Sequence, residues 1–297
     1  MTVLEGIQRS AEFLARKGVD SPRLQAELLL AHVLKLERMR LYLNFEHVLS
    51  VDEANAFRSL VVRRGEREPL QQITGSTCFC GFEVTVNRSV LVPRPETELL
   101  AEKAWESLKS KVSSLKSNRE SAKSGDVSAL DLGTGSGCLA IALAKNCAPA
   151  RVVATDASAE ALECAKTNAA KNGVSDRIEF RVGNGFDVLK RGELFDLIVS
   201  NPPYIATAEI ESLQPEVKDW EPRTALDGGA DGLDWYRRIA TEAKAFLAPE
   251  GNVTLEFGDG QSDAIRKIFE MEKWIVEAVI EDYTRRPRIL AARAQNG

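Results

Sequence analysis

The sequence predicts an α/β protein, with a mostly parallel, doubly wound sheet whose last strand is antiparallel and a small helical bundle at the N-terminus. From about residue 127, short apolar runs typical of buried strands alternate with segments of helical periodicity, which indicates a parallel sheet with helices on both faces. Before roughly residue 72, apolar residues recur only at helical spacing. We therefore predict a helical domain over 1–72, a β-hairpin linker over 73–92 and an α/β domain over 93–297.

The helical domain has recognisable helix ends. The first helix is predicted to stop at Lys17-Gly18, and the second to begin at Ser21-Pro22, an N-cap followed by proline in the first turn. Ser50 and Glu53 form a capping box that begins another helix. Because its apolar faces are periodic and it is separate from the α/β part, we expect this bundle to dock a protein partner.

The next stretch changes its periodicity. Gly81 and the alternating residues 82–86 predict a β-hairpin, and Pro95 or Thr97 begins the following helix. Residues 110–127 are rich in Ser, Lys and Asn and nearly free of large apolar residues, which predicts a flexible surface insertion.

The α/β part then follows in order. The short polar connection over 281–286 leaves no room for a crossover helix, so the last two strands should pair antiparallel. Strands are predicted at 127–132, 151–155, 178–182, 195–200, 252–257, 274–280 and 287–293, and helices from 138 and at 158–171, 233–247 and 261–271.

Composition argues against several classes of protein. The net charge of -5 does not suit binding that depends on neutralising phosphates. No run approaches the ~18 apolar residues of a membrane span, and the N-terminus lacks the features of a signal or transit peptide, so we expect a cytoplasmic protein. The five cysteines form no CxxC pair, and His32 and His47 lie in a different segment, so no metal site is expected.

A glycine loop separates the predicted strand at 127–132 from the helix that begins at Cys138. A P-loop would need Lys after Gly137, and a dinucleotide fingerprint would need a different glycine spacing. An acid just before the loop would repel a pyrophosphate but attract ammonium and sulfonium groups. The candidate cofactor-binding residues here are Asp131, Gly133, Thr134, Gly135, Ser136 and Gly137.

A second acid, Asp156, closes the next predicted strand, where a carboxylate can bind ribose hydroxyls. Its alternative role is the N-cap of the helix that follows. Together with the loop, Asp156 favours S-adenosylmethionine over NAD as the cofactor.

Asn201-Pro202-Pro203-Tyr204 follows the predicted strand at 195–200, at the edge where α/β sheets bind ligands. The two prolines stiffen the backbone. The Asn201 side-chain oxygen and the Pro202 carbonyl could each accept one hydrogen of a planar amide or aromatic amine, and Tyr204 could stack on its flat face. The alternative is a simple proline turn.

With these features in order, the chain resembles a class I adenosylmethionine-dependent methyltransferase of Rossmann-like fold that acts on planar nitrogen. Three further stretches resemble the signatures of the HemK-type release factor glutamine methyltransferases: 68–75, 90–98 and 221–233. The resemblance implies a methyl transfer from S-adenosylmethionine to the side-chain nitrogen (N5) of the glutamine in the Gly-Gly-Gln loop of class 1 peptide release factors. It implies catalytic and substrate-binding roles for Asn201, Pro202, Pro203 and Tyr204, substrate binding by Pro95 and Thr97, and cofactor contacts from Asn201.

The chain departs from the family after the third strand of the α/β part, where members often have an acid. Here the sequence is Gly183-Asn184-Gly185-Phe186. We expect Asn184 and Gly185 to bind the cofactor, Asn184 through its oxygen on the adenine amino group, and Phe186 to cover the ring.

Two other functions compete with this interpretation. A methyltransferase acting on adenine N6 or guanine N2 of nucleic acid would need a basic cleft near Tyr204, whereas residues 208–221 include several acids. A non-catalytic module would not need an intact Asn201 and glycine loop. We expect a monomer with class 1 release factors as its partners, and no direct contact with nucleic acid or membrane.

Overall fold

The structure is a computed structural model and describes residues 1–117 and 127–295. The chain divides into two compact units, one made of Met1–Ser76 and Gln214–Trp220, the other of Thr77–Leu213 and Glu221–Gly297. Within the described ranges, every helix is too short or too polar to cross a membrane.

The helices and strands are numbered in chain order. The helices are α1 (Val3–Arg16), α2 (Pro22–Leu34), α3 (Arg38–Leu41), α4 (Val51–Gly65), α5 (Leu70–Thr74), α6 (Pro95–Ser117), α7 (Cys138–Asn146), α8 (Ala159–Lys171), α9 (Pro215–Lys218), α10 (Asp234–Glu242) and α11 (Ser262–Met271). The strands are β1 (Ser76–Phe79), β2 (Phe82–Thr85), β3 (Val127–Leu132), β4 (Ala150–Asp156), β5 (Ile178–Val182), β6 (Phe195–Ser200), β7 (Leu247–Glu256), β8 (Trp274–Glu281) and β9 (Pro287–Ala294).

The first unit is the predicted helical bundle, with a core of apolar residues from α1, α2 and α4. The capping box at Ser50 is confirmed, since Glu53 N donates to Ser50 Oγ at 3.2 Å and Ser50 N donates to Glu53 Oε2 at 2.8 Å. Ser21 is the N-cap of α2 and Pro22 begins the helix, as predicted. Ser21 has a left-handed φ of 48° and its side chain makes no capping hydrogen bond, because a capping side chain requires extended backbone at that position.

A segment from much later in the chain completes this unit. Glu216 of α9 accepts hydrogen bonds from Arg64 Nη2 at 2.7 Å and from Arg67 Nη2 at 2.5 Å. Gln72 donates to the Trp220 carbonyl at 3.2 Å. The polypeptide therefore leaves the second unit after Leu213 and re-enters it at Glu221. The domain boundaries that we predicted from periodicity did not place this segment in the helical unit.

The second unit is built on a seven-stranded sheet in the order β5-β4-β3-β6-β7-β9-β8. β3 pairs parallel with β4 and β6, and β6 pairs parallel with β7. β9 is antiparallel to both β7 and β8, so the predicted fold class and the antiparallel last strand are confirmed. Buried apolar clusters fill both faces of the sheet. The strand order reverses between β3 and β6, and ligands of such sheets bind outside the carboxyl ends of the strands at this point.

The predicted β-hairpin is present as β1 and β2. Phe79, Phe82 and Val84 are buried in the core that α6, α7 and α8 form with one face of the sheet. The side-chain amide of Asn168 in α8 pairs with the backbone of Thr85: its Oδ1 accepts from Thr85 N at 2.8 Å, and its Nδ2 donates to the Thr85 carbonyl at 2.9 Å.

The predicted flexible insertion at 110–127 is wrong over its first part, because α6 continues to Ser117. Lys111 Nζ also donates to the main-chain carbonyls of Asp196 and Glu250, both at 2.7 Å. Residues 118–126 lie outside the described part of the chain. The helix persists because a buried residue recurs every four positions despite the polar composition: Leu100, Ala104, Leu108 and Val112.

The other predicted elements are confirmed with small shifts at their ends. The two largest shifts are of five residues each. β7 begins at Leu247, where the sequence predicted a start at 252, and α10 ends at Glu242 and is followed by a 3₁₀ turn over Ala243–Phe246, where the sequence predicted continuous helix to 247. Such turns commonly tighten the last turn of a helix.

Candidate functional site

A cavity of about 250 Å³ opens at the carboxyl ends of the central strands of the second unit. The loops that follow β3, β4, β5 and β6 all contribute to its wall, as the switch in strand order predicts. Ser200 Oγ donates to the Leu132 carbonyl at 2.6 Å, which fastens the ends of β6 and β3 together. The lining residues include Thr97, Gly133, Thr134, Gly135, Ser136, Asp156, Asn184, Gly185, Asn201, Pro202, Pro203 and Trp235.

The glycines of the loop after β3 have two different roles. Gly133 and Gly135 have φ values of 75° and 53°, and no heavy atom lies within 4 Å of the position of an added Cβ, so their backbone is open to a ligand. Gly137 has φ 81°, and an added Cβ would lie 2.9 Å from the Ala165 Cβ. Gly137 therefore allows α8 to pack closely against the loop.

Asp131 lies beneath this loop and does not line the cavity. It is completely buried, and its Oδ2 accepts from Thr134 Oγ1 at 2.6 Å and from Ala140 N at 3.0 Å. Its Oδ1 is buried without a hydrogen-bond partner. Burial raises the pKa of Asp131 to about 7. Its contacts hold the loop on the start of α7, and its contact with a cofactor stays a prediction.

Asp156 lines the cavity at the end of β4. Its Oδ2 accepts from Gly135 N at 2.8 Å and its Oδ1 from Ser158 N at 2.9 Å. The side chain that caps α8 is Ser158, whose hydroxyl accepts from Ala161 N at 3.0 Å. Asp156 is therefore not the N-cap, and it joins the glycine loop to the start of α8 at the cavity wall.

The loop after β5 places Asn184 and Gly185 on the wall. Asn184 Oδ1 accepts from Arg238 Nη1 at 3.0 Å. Phe186 is buried and stacks on Phe246, with ring centroids 5.5 Å apart, so it lies in the core and not on the wall. The aromatic side chain at the wall is Trp235, which the sequence analysis missed. The signal available in the sequence was its place at the start of a helix that follows a glycine-rich turn.

Asn201 follows β6 directly and lines the cavity with Pro202 and Pro203. Its Nδ2 donates to Thr97 Oγ1 at 3.1 Å. Because Nδ2 is engaged in this way, Oδ1 is the acceptor that the side chain offers to a bound amide. Thr97 itself is 2% exposed and lies in the first turn of α6, so the structure brings together two residues that the sequence singled out separately.

Two other predicted residues lie elsewhere. Tyr204 packs against the apolar core beside α10 and is not part of the cavity wall, and burial raises its pKa to about 12. Its carbonyl accepts from Gln261 Nε2 at 2.8 Å. Pro95 begins α6 and is exposed. Their contacts with a substrate stay predictions.

A buried carboxylate lies next to a lining residue of the cavity. Glu221 is 6% exposed and accepts from Arg94 Nη2 at 2.6 Å and from Val92 N at 3.3 Å. Burial raises its pKa, although Arg94 opposes this. The next residue, Pro222, lines the cavity, so Glu221 joins two motif stretches that are 127 residues apart. Both stretches resemble family signatures, but neither predicts a role for Glu221 from the sequence alone.

Two family descriptions match parts of the chain. Residues 5–75 match the PrmC N-terminal domain, and residues 112–214 match the Methyltransferase small domain. Among solved structures, the hMettl16 catalytic domain in complex with MAT2A 3′UTR hairpin 6 is similar, with a TM-score of 0.54 over 83% of each chain. Its sequence identity is 14%, so this likeness concerns the fold alone.

Sequence relatives are much closer than this. A Geobacter sulfurreducens protein named release factor glutamine methyltransferase is 43% identical over 90% of this chain and 88% of its own length. A protein of the same name from Chlorobaculum tepidum is 41% identical over 99% of this chain and 98% of its own length. The resemblance drawn from the motifs is confirmed, and this chain belongs to the release factor glutamine methyltransferase family.

Proposed function

We propose that this protein transfers a methyl group from S-adenosylmethionine to the N5 nitrogen of the glutamine in the Gly-Gly-Gln loop of class 1 peptide release factors. The observation that carries the proposal is the Asn201 amide at the cavity wall, held through Nδ2 by Thr97 so that Oδ1 remains to accept a hydrogen from a substrate amide. The names of the relatives support the choice of substrate.

The cavity fits the proposed cofactor. The open backbone at Gly133 and Gly135 leaves room for close approach of a ligand, and Asp156 is the carboxylate on the same wall. Asp156 would accept hydrogen bonds from the ribose hydroxyls, and Asn184 would contact the adenine amino group. We assign Trp235 as an aromatic surface beside the adenine, because it lies on the wall and its ring is 5.5 Å from Arg238, which also donates to Asn184, whereas Phe186 is in the core.

When bound, S-adenosylmethionine supplies a methyl group that is already activated by the positive charge on sulfur. The protein must therefore deal with the other reactant, a carboxamide nitrogen whose lone pair is delocalised into the carbonyl. Asn201 Oδ1 and the Pro202 carbonyl would accept the two N–H hydrogens, which orients the nitrogen and favours the positive charge that develops on it. The stiff proline backbone keeps these two acceptors at a constant separation.

The cavity walls would also limit the access of water to the reacting groups. Pro93, Pro203 and Leu139 are among the lining residues, so much of the surface near Asn201 is apolar. In such surroundings a hydrogen bond from the substrate to Asn201 is stronger than it would be in water.

We further propose that the helical unit docks the release factor, and that the protein acts as a cytoplasmic monomer without contact to nucleic acid. Several large apolar side chains on this unit are exposed, with Leu43 at 85% and Val51 at 76%. Exposed apolar groups of this kind are common in surfaces that bind protein partners.

The proposal is tested by incubating the protein with radiolabelled S-adenosylmethionine and, in parallel, a class 1 release factor, duplex DNA and transfer RNA. We expect label on the release factor alone. A release factor whose Gly-Gly-Gln glutamine is replaced by alanine serves as the control and should remain unlabelled. Label on a nucleic acid in place of the release factor would support the competing function instead.

A further inference from the structure

We infer that Gln261 is a positioning residue for the methyl transfer, and that it acts through the backbone of Tyr204 together with the turn at residues 228–232. The inference rests on the proposed function, because it concerns how the acceptors at Asn201 and Pro202 are held in place. Neither Gln261 nor the turn lines the cavity. The contacts that support the inference all lie within the second unit.

Both ends of the Gln261 side-chain amide are engaged. Its Nε2 donates to the Tyr204 carbonyl at 2.8 Å, and its Oε1 accepts from Gly258 N at 2.9 Å. An amide rotated by 180° would place its oxygen against the Tyr204 carbonyl and its NH2 group against an N–H group, so the orientation is determined. Because Gln261 directly precedes α11 and Gly258 lies two residues after β7, the amide fastens the Tyr204 carbonyl to the loop between these elements.

The turn contacts the same backbone through two buried glycines. A Cβ added to Gly228 would lie 2.7 Å from the Pro203 carbonyl oxygen. A Cβ added to Gly232 would lie 2.8 Å from Gln261 Nε2 and would overlap the Tyr204 carbonyl oxygen. These separations are too short for a real Cβ, so glycine at both positions is what lets the turn lie directly against the backbone.

Backbone hydrogen bonds also join the turn to the residue that follows Tyr204. Ile205 N donates to the Leu226 carbonyl at 3.0 Å, and Gly228 N donates to the Ile205 carbonyl at 2.8 Å. A displacement of the turn is therefore transmitted to the chain that leaves Tyr204.

The two proposed acceptors are the next groups along this backbone. The hydrogen bond to Thr97 holds Asn201 at one end of the stretch, and the contacts described above hold Tyr204 at the other. Because Pro202 and Pro203 have a fixed φ, few rotations are left that could absorb a shift at Tyr204. Such a shift would reach Pro202 and Asn201 and move the acceptors away from the N–H bonds of the substrate amide.

Gln261→Met tests the hydrogen bonds separately from the space that the side chain fills, because methionine has a similar length and volume and lacks the amide. We expect it to lower single-turnover methylation of the release factor by roughly 10- to 100-fold, as small misplacements of reacting groups do. Cofactor affinity should stay within about twofold, because Gln261 does not line the cavity. Wild-type transfer in Gln261→Met would overturn the inference, since Gln261 would then only fill space.

Gly232→Ala and Gly260→Ala form a matched pair. The two glycines have φ values of 75° and 76°, so alanine adds the same backbone strain at both, but no heavy atom lies within 4 Å of a Cβ added to Gly260. We expect Gly260→Ala to transfer methyl groups within about threefold of wild type and Gly232→Ala to lose at least as much transfer as Gln261→Met. An equal loss in the two glycine variants would contradict the role of the contact with Tyr204. Thermal denaturation establishes that each variant is folded at the assay temperature, and Gln261→Met decides the matter if Gly232→Ala does not fold.

Nuclear magnetic resonance gives a readout that does not depend on turnover. The side-chain NH2 signals of Asn201, assigned by their absence from Asn201→Ala, should shift in Gln261→Met and Gly232→Ala and stay near the wild-type position in Gly260→Ala. Unchanged NH2 signals in Gln261→Met would also overturn the inference. If wild-type protein did not methylate the release factor, the proposed function would fail, and the NH2 signals would still decide whether Gln261 positions Asn201.

Discussion

At the scale of single residues, the proposed function of the candidate site depends mainly on two polar side chains, Asn201 and Asp156. Asn201 and Asp156 lie on the cavity wall from the ends of different strands, one at the proposed substrate and one at the proposed cofactor. Each is held by a hydrogen bond within the protein before any ligand arrives. Such preorganisation means that the binding of a ligand need not first order these side chains.

Asn201 can be tested by replacing it with alanine and with aspartate. Both variants should lose turnover by about 100-fold or more, the scale seen when one positioning or electrostatic contact is removed. Alanine should leave cofactor affinity near normal. The aspartate variant should bind the cofactor more tightly, because its negative charge attracts the positive sulfonium in the ground state. It should slow the transfer, because the positive charge leaves sulfur in the transition state.

Single-turnover methylation and calorimetric cofactor affinity, measured on the same preparations, check this expectation. Near-normal transfer by Asn201→Ala would mean that the stretch from Asn201 to Tyr204 is only a turn.

Asp156→Ala should weaken cofactor binding by roughly 1.5 to 3 kcal/mol, as expected for charge-assisted hydrogen bonds. Part of this loss would come from the glycine loop, since Asp156 also accepts from Gly135 N. Asp176→Ala is a matched control, because it removes an acid from the turn before β5, at the opposite end of that strand from Asn184. Calorimetry that found the same affinity in a folded Asp156→Ala variant as in the control would contradict the cofactor role.

At the scale of elements, the loop between β3 and α7 separates ligand binding from packing within a few residues. Gly135 and Gly137 both have positive φ, so alanine at either position adds comparable backbone strain of about 1 kcal/mol. The two differ in what an added methyl group would meet: open cavity at Gly135 and α8 at Gly137.

Gly135→Ala should therefore weaken cofactor binding more than it lowers the free energy of unfolding. Gly137→Ala should show the larger loss of stability, because overpacking against Ala165 adds roughly 1 to 3 kcal/mol to the strain. Urea denaturation combined with calorimetry distinguishes the two variants. Equal free energies of unfolding in the two variants would show that a methyl group at position 137 does not overpack against α8.

The return segment that includes α9 offers a second element-scale test. Glu216→Ala should lower the free energy of unfolding of the helical unit by about 2 kcal/mol, because it leaves the buried Arg64 and the partly buried Arg67 without their carboxylate. Glu163→Ala is the control, since its pair with Lys166 is exposed and should contribute less than about 0.5 kcal/mol. Similar losses of unfolding free energy in the two variants would argue that α9 does not stabilise the helical unit.

The pH dependence of this effect has a definite sign. Burial raises the pKa of Glu216, but the hydrogen bonds from Arg67 and Arg64 outweigh burial and lower it below the ordinary value of 4.5. The stabilisation is therefore fully present above pH 4.5 and is lost as the pH falls through the lowered pKa. Wild type and Glu216→Ala should differ in stability at neutral pH and converge in acid.

At the scale of the whole molecule, the chain alternates between its two units. The stretch that begins at Asn201 continues into the segment Gln214–Trp220 of the helical unit and returns at Glu221, which supports the cavity wall. The proposed docking unit and the proposed transfer site are thus parts of one continuous length of polypeptide.

A shortened chain that begins at Thr77 should bind the cofactor and lose methyl transfer to an intact release factor. The starting residue matters, because a chain that began after β2 would lose Phe79, Phe82 and Val84 from the core of the second unit. Thermal denaturation with and without cofactor establishes that the shortened protein is folded. Transfer as fast as that of the full-length protein would assign the helical unit some other role.

The sequence by itself determined the succession of the main strands and helices along the chain, the antiparallel last strand and the motif stretches that line the site. Hydrophobic periodicity, turn residues and motif spacing can be read from residues that are close along the chain. Tertiary structure decided which of those residues face the cavity. Phe186 is buried in the core, and the partly buried Tyr204 packs against it, while Trp235 lines the wall, since the direction of a side chain depends on the elements that pack around it. Likewise, the return of Gln214–Trp220 to the helical unit and the hydrogen bond from Asn201 to Thr97 join residues that are distant along the chain. Local sequence patterns do not predict such contacts, because the contacts form only when the folded protein brings the two partners together.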